Sequence, residues 1–123
     1  MQISKYLVVN SKDAQWGLTV STVGYEEIGA GDPYPTRGHA DGYYFDLGKG
    51  RVLNEYQLLY ITEGEGVFSS DHVTNVPLKA GDLFLLFPGE WHSYHPLPNR
   101  GWKSYWIGFK GKNVDDRVRA GFL

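Results

Sequence analysis

The sequence predicts an all-β fold, and three observations predict it. Sixteen Gly and six Pro punctuate the 123 residues. The intervals between them hold short runs rich in Val, Tyr, Phe and Leu, and within those runs aromatics recur at alternate positions. Turns between half-buried antiparallel strands require this pattern.

Taken in order, residues 1–15 read as an N-terminal arm, followed by strands near 18–25, 42–47, 55–62, 66–70, 73–78, 83–87, 91–95 and 103–110. Residues 29–38 carry Gly31-Asp32-Pro33 and Pro35, which cannot hold a strand ladder, so a loop is expected there. Residues 96–101 are turn chemistry as well. Asn113, followed by Asp115 and Asp116, reads as a helix N-cap with acids in the first turn, and Val114, Val118 and Phe122 repeat at helical spacing. Gly64, Gly66, Gly81 and Gly89 are read as turn glycines.

The length allows one domain with a real core. A net charge of -2 and the absence of any long Lys or Arg run argue against a phosphate-binding surface, so direct nucleic-acid contact is not expected. With no cysteine, disulfides, Cys-type zinc sites and thiol catalysis are excluded, which fits a cytoplasmic protein. Neither a signal peptide nor a membrane span is read in the chain.

Residues 81–109 hold eight of the nineteen aromatics. On the last strand, Trp102, Ser104, Trp106 and Gly108 share one face, while Tyr105, Ile107 and Phe109 share the other. Both faces are substantially apolar. A barrel can bury only one, so the Tyr105 face is expected to be covered by the C-terminal helix, by the N-terminal segment, or by another chain. The chain is read as a fragment of a longer protein that ends just after a helix begins.

Candidate binding residues follow from the same alternation. Trp106 has small neighbours, Ser104 and Gly108, that leave room beside an indole able to stack on a ligand face, with Trp102 on the same side. Arg51 precedes a strand, and its guanidinium can fork to vicinal hydroxyls or a carboxylate, or else join a surface ion pair. His92 and Trp91 lie on opposite faces, so at most one looks inward. Glu90 follows Pro88-Gly89 and is either a rim acceptor or a solvated turn carboxylate. Tyr56, Leu58 and Tyr60 share a face that reads as core before pocket. His39 sits in a Gly-rich loop and is read as a loop residue. No catalytic constellation emerges.

The segments Gly50-Arg51-Val52-Leu53-Asn54-Glu55-Tyr56-Gln57-Leu58-Leu59-Tyr60-Ile61-Thr62-Glu63-Gly64-Glu65-Gly66 and Gly81-Asp82 through Trp91-His92-Ser93-Tyr94, closed by Gly101-Trp102-Lys103-Ser104-Tyr105-Trp106-Ile107-Gly108-Phe109-Lys110-Gly111, resemble the N-terminal effector-binding domain of AraC-type transcription regulators. That domain is a small cupin, a double-stranded β-helix or jelly roll. The resemblance covers roughly residues 16–111, leaving 112–123 as the start of a linker or dimerisation helix. It implies a sensor that binds a small molecule, often a sugar, inside the barrel. Trp106 matches the indole that the arabinose-responsive member stacks on its sugar, and Tyr94 matches a pocket tyrosine. The resemblance further implies an N-terminal arm that closes over ligand, a homodimeric parent protein, and DNA contact through a C-terminal helix-turn-helix region not contained in this sequence.

Metal-binding cupins carry His-x-His, a Glu and a later His, of which only His92 has a counterpart here. Gln57 stands where the Glu would be, and residues 51–56 contain no His. Neither a metal nor another cofactor is therefore expected. The alternatives are a stand-alone cupin enzyme acting on a sugar or small metabolite, and a sensor with a vestigial pocket whose remaining task is dimerisation.

Overall fold

The structure, a computed structural model, describes residues 1–32, 34 and 50–123. Its elements are β1 (Gln2–Tyr6), α1 (Ser11–Gln15), β2 (Thr19–Ile28), β3 (Arg51–Val52), β4 (Tyr56–Ser70), β5 (Val76–Lys79), β6 (Leu83–Leu86), β7 (Trp91–Pro96), β8 (Trp102–Lys110) and α2 (Lys112–Arg119). Every strand pairing among them is antiparallel. The expected strand at 42–47 and the loop around His39 lie outside the described residues.

Two strands expected separately, 55–62 and 66–70, are a single strand of 15 residues. Gly64 and Gly66 bend this strand instead of ending it. Gly64 has φ 90, and a Cβ there would overlap the Gly101 carbonyl of the neighbouring chain segment. The register to β8 also slips between Ile61 and Glu63. Before the bend β4 pairs with β8 and β6; beyond it β4 pairs with β7 and β5. One strand thus belongs to two sheets, which curls the order β1-β2-β8-β4-β7-β3 around an interior.

Alternation decides what enters that interior. On β8, Trp102, Ser104 and Gly108 are buried and Trp106 is half-buried, whereas Tyr105 is 52% exposed. Register then places Gln57 beside Gly108, Leu59 beside Trp106 and Ile61 beside Ser104. On the other flank Thr22, Gly24, Glu26 and Ile28 lie opposite Gly108, Trp106, Ser104 and Trp102. Leu59, Ile61 and Leu86 are almost wholly buried in the core cluster around Tyr94 and Trp102. Each buried aliphatic side chain contributes about 1.5–3 kcal/mol.

On β4 the inward row is therefore Gln57, Leu59 and Ile61. The row of Tyr56, Leu58 and Tyr60 points outward, and Tyr60 is 41% exposed. Tyr56 is buried from outside: its ring stacks on Phe109 at 5.7 Å, and its hydroxyl donates to Asp115 of α2 at 2.8 Å.

Helix α2 begins two residues earlier than the sequence signal at Asn113. Its N-cap is Gly111, with φ 147 and no side-chain cap. The Asn113 amide donates to the Gly17 carbonyl at 2.9 Å, so a neighbouring loop supplies the acceptor that a capping side chain would otherwise provide. Val114 is buried, but Phe122 lies beyond the helix end and is 78% exposed. The N-terminal segment, expected as an arm, forms the sheet-edge strand β1 on β2, then the short helix α1 with an Asn10/Asp13 capping box. Its exposed Lys5 is a usual edge-strand residue.

Candidate functional site

A continuous set of polar side chains crosses the barrel interior. Arg51 and His92 are register partners on β3 and β7. The Arg51 guanidinium donates from Nε to His92 Nε2 at 2.8 Å, and from Nη2 to Tyr94 Oη at 2.8 Å and to Gln57 Oε1 at 3.4 Å. Gln57 Nε2 donates in turn to Glu55 Oε2 at 3.4 Å. The Glu55 carboxylate also accepts from Ser21 Oγ and Thr22 Oγ1, both at 3.0 Å. Four strands and the turn before β4 are tied together by these side chains, of which Thr22, Glu55, Gln57, His92 and Tyr94 are buried and Arg51 and Ser21 half-buried.

Burial sets the electrostatics. His92 is 1% exposed. Loss of water around the ring, and then the adjacent Arg51 charge, lower its pKa to about 3, with the Glu90 backbone acting weakly in the opposite sense. An Arg can only donate, so His92 Nε2 is the acceptor and its proton resides on Nδ1. Burial also raises the Tyr94 phenol, with Arg51 opposing it, and raises Tyr34 well above its ordinary value. Both remain neutral hydrogen-bonding groups. Neutral His92, Tyr94 and Gln57 side chains around one fixed guanidinium, with the Glu55 carboxylate at the far end of the network, suit a hydroxyl-rich ligand.

An aromatic wall adjoins this network. Tyr94 lies between His92, whose ring centroid is 5.9 Å away, and Trp102 at 6.0 Å. Tyr34 meets Trp102 edge-on at 6.2 Å and donates its hydroxyl to the Tyr94 carbonyl at 3.0 Å. The room expected beside Trp106 is occupied differently from the sequence reading. A Cβ on Gly108 would overlap the Glu55 carboxylate and the Thr22 hydroxyl, so that space houses the polar network. The Trp106 indole lies instead across Gly24 on β2, where any side chain would collide with it.

The structure thus brings Arg51, His92 and Tyr94 into direct contact, with Trp102, Trp106 and Ser104 on the same interior surface. Tyr56 and Glu90 stand apart. Tyr56 faces outward beneath α2, because residue 56 is out of phase with Gln57. Glu90 pairs with His72 at 3.3 Å on an open groove that Asp71, Phe87, Pro88 and Val118 also line. His95, on the opposite face of β7 from His92, lines a separate small hollow with Ile28, Tyr34 and Pro98.

Four interior residues were missing from the sequence-derived set: Thr22, Glu26, Glu55 and Gln57, all 5% exposed or less. Thr22 and Glu26 carried a signal in the polar period-two spacing of Thr22, Gly24 and Glu26, hidden because the strand was ended at Tyr25. Glu55 carried none, since it lies in a turn. Among the described residues no group of three His, Asp or Glu side chains could hold a metal ion. No described helix is long and apolar enough to cross a membrane.

The fold is a β-barrel of the cupin type. Solved cupins share the fold: a predicted oxalate decarboxylase of Thermotoga maritima has a TM-score of 0.56 at 20% identity, covering 89% of this chain and 80% of that one. The Cnp3 cupin domain of Schizosaccharomyces pombe gives 0.53 at 12% identity over 97% of this chain and 71% of its own. At residues 31–122 the sequence matches the model of the AraC-like ligand binding domain, and the chain belongs to that family. It is 40% identical over 72 residues to the raffinose operon transcriptional regulatory protein of Pediococcus pentosaceus, and 40% over 63 residues to the lactose operon transcription activator of Staphylococcus xylosus. Those alignments cover 58% and 51% of this chain but only 26% and 22% of the relatives, so the chain spans about a quarter of their length.

Proposed function

We propose that this domain is the sensing part of a transcription regulator and that it binds a saccharide inside the barrel without transforming it. The observation that carries the reading is the Arg51 guanidinium, held in the interior by His92, Tyr94 and Gln57 next to an aromatic wall. Prearranged hydrogen-bonding groups beside flat apolar rings are what recognition of a sugar requires, because a pyranose presents hydroxyls at its rim and C–H groups on its face.

The relatives' names favour a particular saccharide. Raffinose and lactose both contain a galactosyl unit, which makes a galactoside the first ligand to test. In this proposal DNA contact belongs to other parts of the regulator, which acts as a dimer in the cytoplasm. His92, held neutral and engaged as the acceptor of Arg51 Nε, is not free to exchange a proton with a substrate at that nitrogen, which supports binding over catalysis. Calorimetric titration with raffinose, lactose, arabinose and glucose tests the reading. Saturable binding of at least one galactoside, lost in Arg51→Met, is the expected result; a flat titration with all four rejects the saccharide sensor.

A further inference from the structure

Two buried N–H groups form no regular hydrogen bond among the described residues: Trp102 Nε1, and His92 Nδ1, which has only a weak contact with the Glu90 backbone. Both belong to side chains that are almost completely buried, at 1% and 2% exposure. Buried donors in folded proteins are rarely left unmatched, because desolvating an N–H without a replacement acceptor costs free energy that the folded state must bear. The orientation of both rings is fixed. The His92 proton is fixed on Nδ1 because Arg51 Nε donates to the other ring nitrogen, and Trp102 is held by the Tyr94 and Tyr34 rings and by close packing of its indole over Gly66.

The two rings flank Tyr94, at centroid distances of 5.9 and 6.0 Å. Tyr94 itself accepts from Arg51. The interior therefore offers donors on either side of an aromatic ring whose hydroxyl is already fixed in its role.

We propose that Trp102 Nε1 and His92 Nδ1 are donors to oxygen atoms of the bound ligand, so that Trp102 is a recognition residue in addition to a core aromatic and Arg51 positions His92 as well as meeting ligand. The inference rests on the saccharide-sensor reading and narrows its ligand class: the molecule presents acceptor oxygens toward both donors, as a polyhydroxylated sugar does and an amine does not. A saccharide hydroxyl or ring oxygen that reaches the Trp102 N–H removes a penalty present in the unliganded protein, one that reaches the His92 N–H completes a weakly matched donor, and both interactions strengthen with the exclusion of water.

The test uses the 123-residue chain labelled with ¹⁵N, with raffinose and lactose as probes. Of the four indole N–H resonances, that of Trp102 is assigned by its loss in Trp102→Phe, and the imidazole nitrogens of His92 by their loss in His92→Gln. The proposal expects the unliganded ring of His92 to be the Nδ1–H tautomer. On saturation with sugar, the Trp102 indole proton should move downfield and the His92 Nδ1 signal should shift, while Trp102→Phe binds about tenfold more weakly. If sugar binds but both resonances stay in place and Trp102→Phe binds like the parent protein, the donor assignment is wrong and the sensor reading stands. If neither of these sugars binds, and arabinose and glucose fail as well, both are wrong.

Discussion

At the scale of single residues, the site is built where side chains are missing as much as where they are present. Gly108 makes space for the Glu55 carboxylate, and Gly24 for the Trp106 indole. Gly108→Ala should displace Glu55 and cost about 1–3 kcal/mol of stability, read from chemical denaturation, because the added carbon has no free volume to enter. His92 gives a pH signature. Its folded pKa of about 3 lies below the ordinary 6.5, so between those values the unfolded chain binds a proton that the folded protein refuses. Stability is complete above the ordinary value and falls as pH drops toward the folded one, by about 2 kcal/mol at pH 5 from this group. Urea midpoints measured from pH 7 to pH 4.5 should show this loss, and His92→Gln should flatten that part of the profile. The sequence made Arg51, His92 and Tyr94 legible as candidates, because their types and strand phases were visible. It did not reveal Glu55, whose role depends on a turn placing it against Gly108 across a ladder 53 positions away in sequence.

At the scale of elements, β4 decides the architecture. Its bend at Gly64 carries one strand from the first sheet into the second, and a pair of glycines inside an apolar run looks in sequence like a turn between two strands. The same strand also links inside to outside. Gln57 and Glu55 enter the interior network, while Tyr56 between them faces outward and holds α2 through Asp115. Tyr56→Phe should remove that hydrogen bond at a cost of about 1 kcal/mol. Amide exchange of Lys112–Arg119 should then speed up more than that of β8, since the helix has only Val114 fully buried. Uniform acceleration across the barrel would show that the hydroxyl serves the whole fold and not the helix. The start of α2 is not legible locally for a definite reason: its N-cap Gly111 has no capping side chain, and the Asn113 amide is satisfied by the Gly17 carbonyl, 96 positions away in sequence, which no local N-cap pattern can signal.

At the scale of the whole molecule, the barrel has two aromatic surfaces with opposite fates. One lines the interior. The other crosses the outer face as a register row, Ile3, Tyr25, Tyr105, Tyr60 and Leu83, with Tyr25 and Tyr105 in contact at 4.8 Å. Tyr105 remains 52% exposed, so Tyr105→Lys should leave the melting temperature nearly unchanged and saccharide affinity intact, because it touches neither the core nor the polar network. A large loss of affinity in that variant would place the ligand on the wrong side of the sheet.

The antiparallel all-β class and the inward face of β8 were legible in the sequence, since both follow from alternation and turn residues. The joining of two expected strands into β4 and the outward row containing Tyr56 were not, because each depends on which phase of a bent strand meets the interior. The central claim is that ligand binds within the barrel, against Arg51 and the rings around Tyr94. Chemical-shift mapping of the ¹⁵N-labelled domain during titration with raffinose or lactose tests it most directly. The account predicts that the largest perturbations converge on Arg51, Gln57, His92, Tyr94 and the Trp102 and Trp106 indoles, with the outer row of Tyr60 and Tyr105 unmoved. Perturbations centred on the outer row or on the Glu90 groove, or none at saturating sugar, would contradict it.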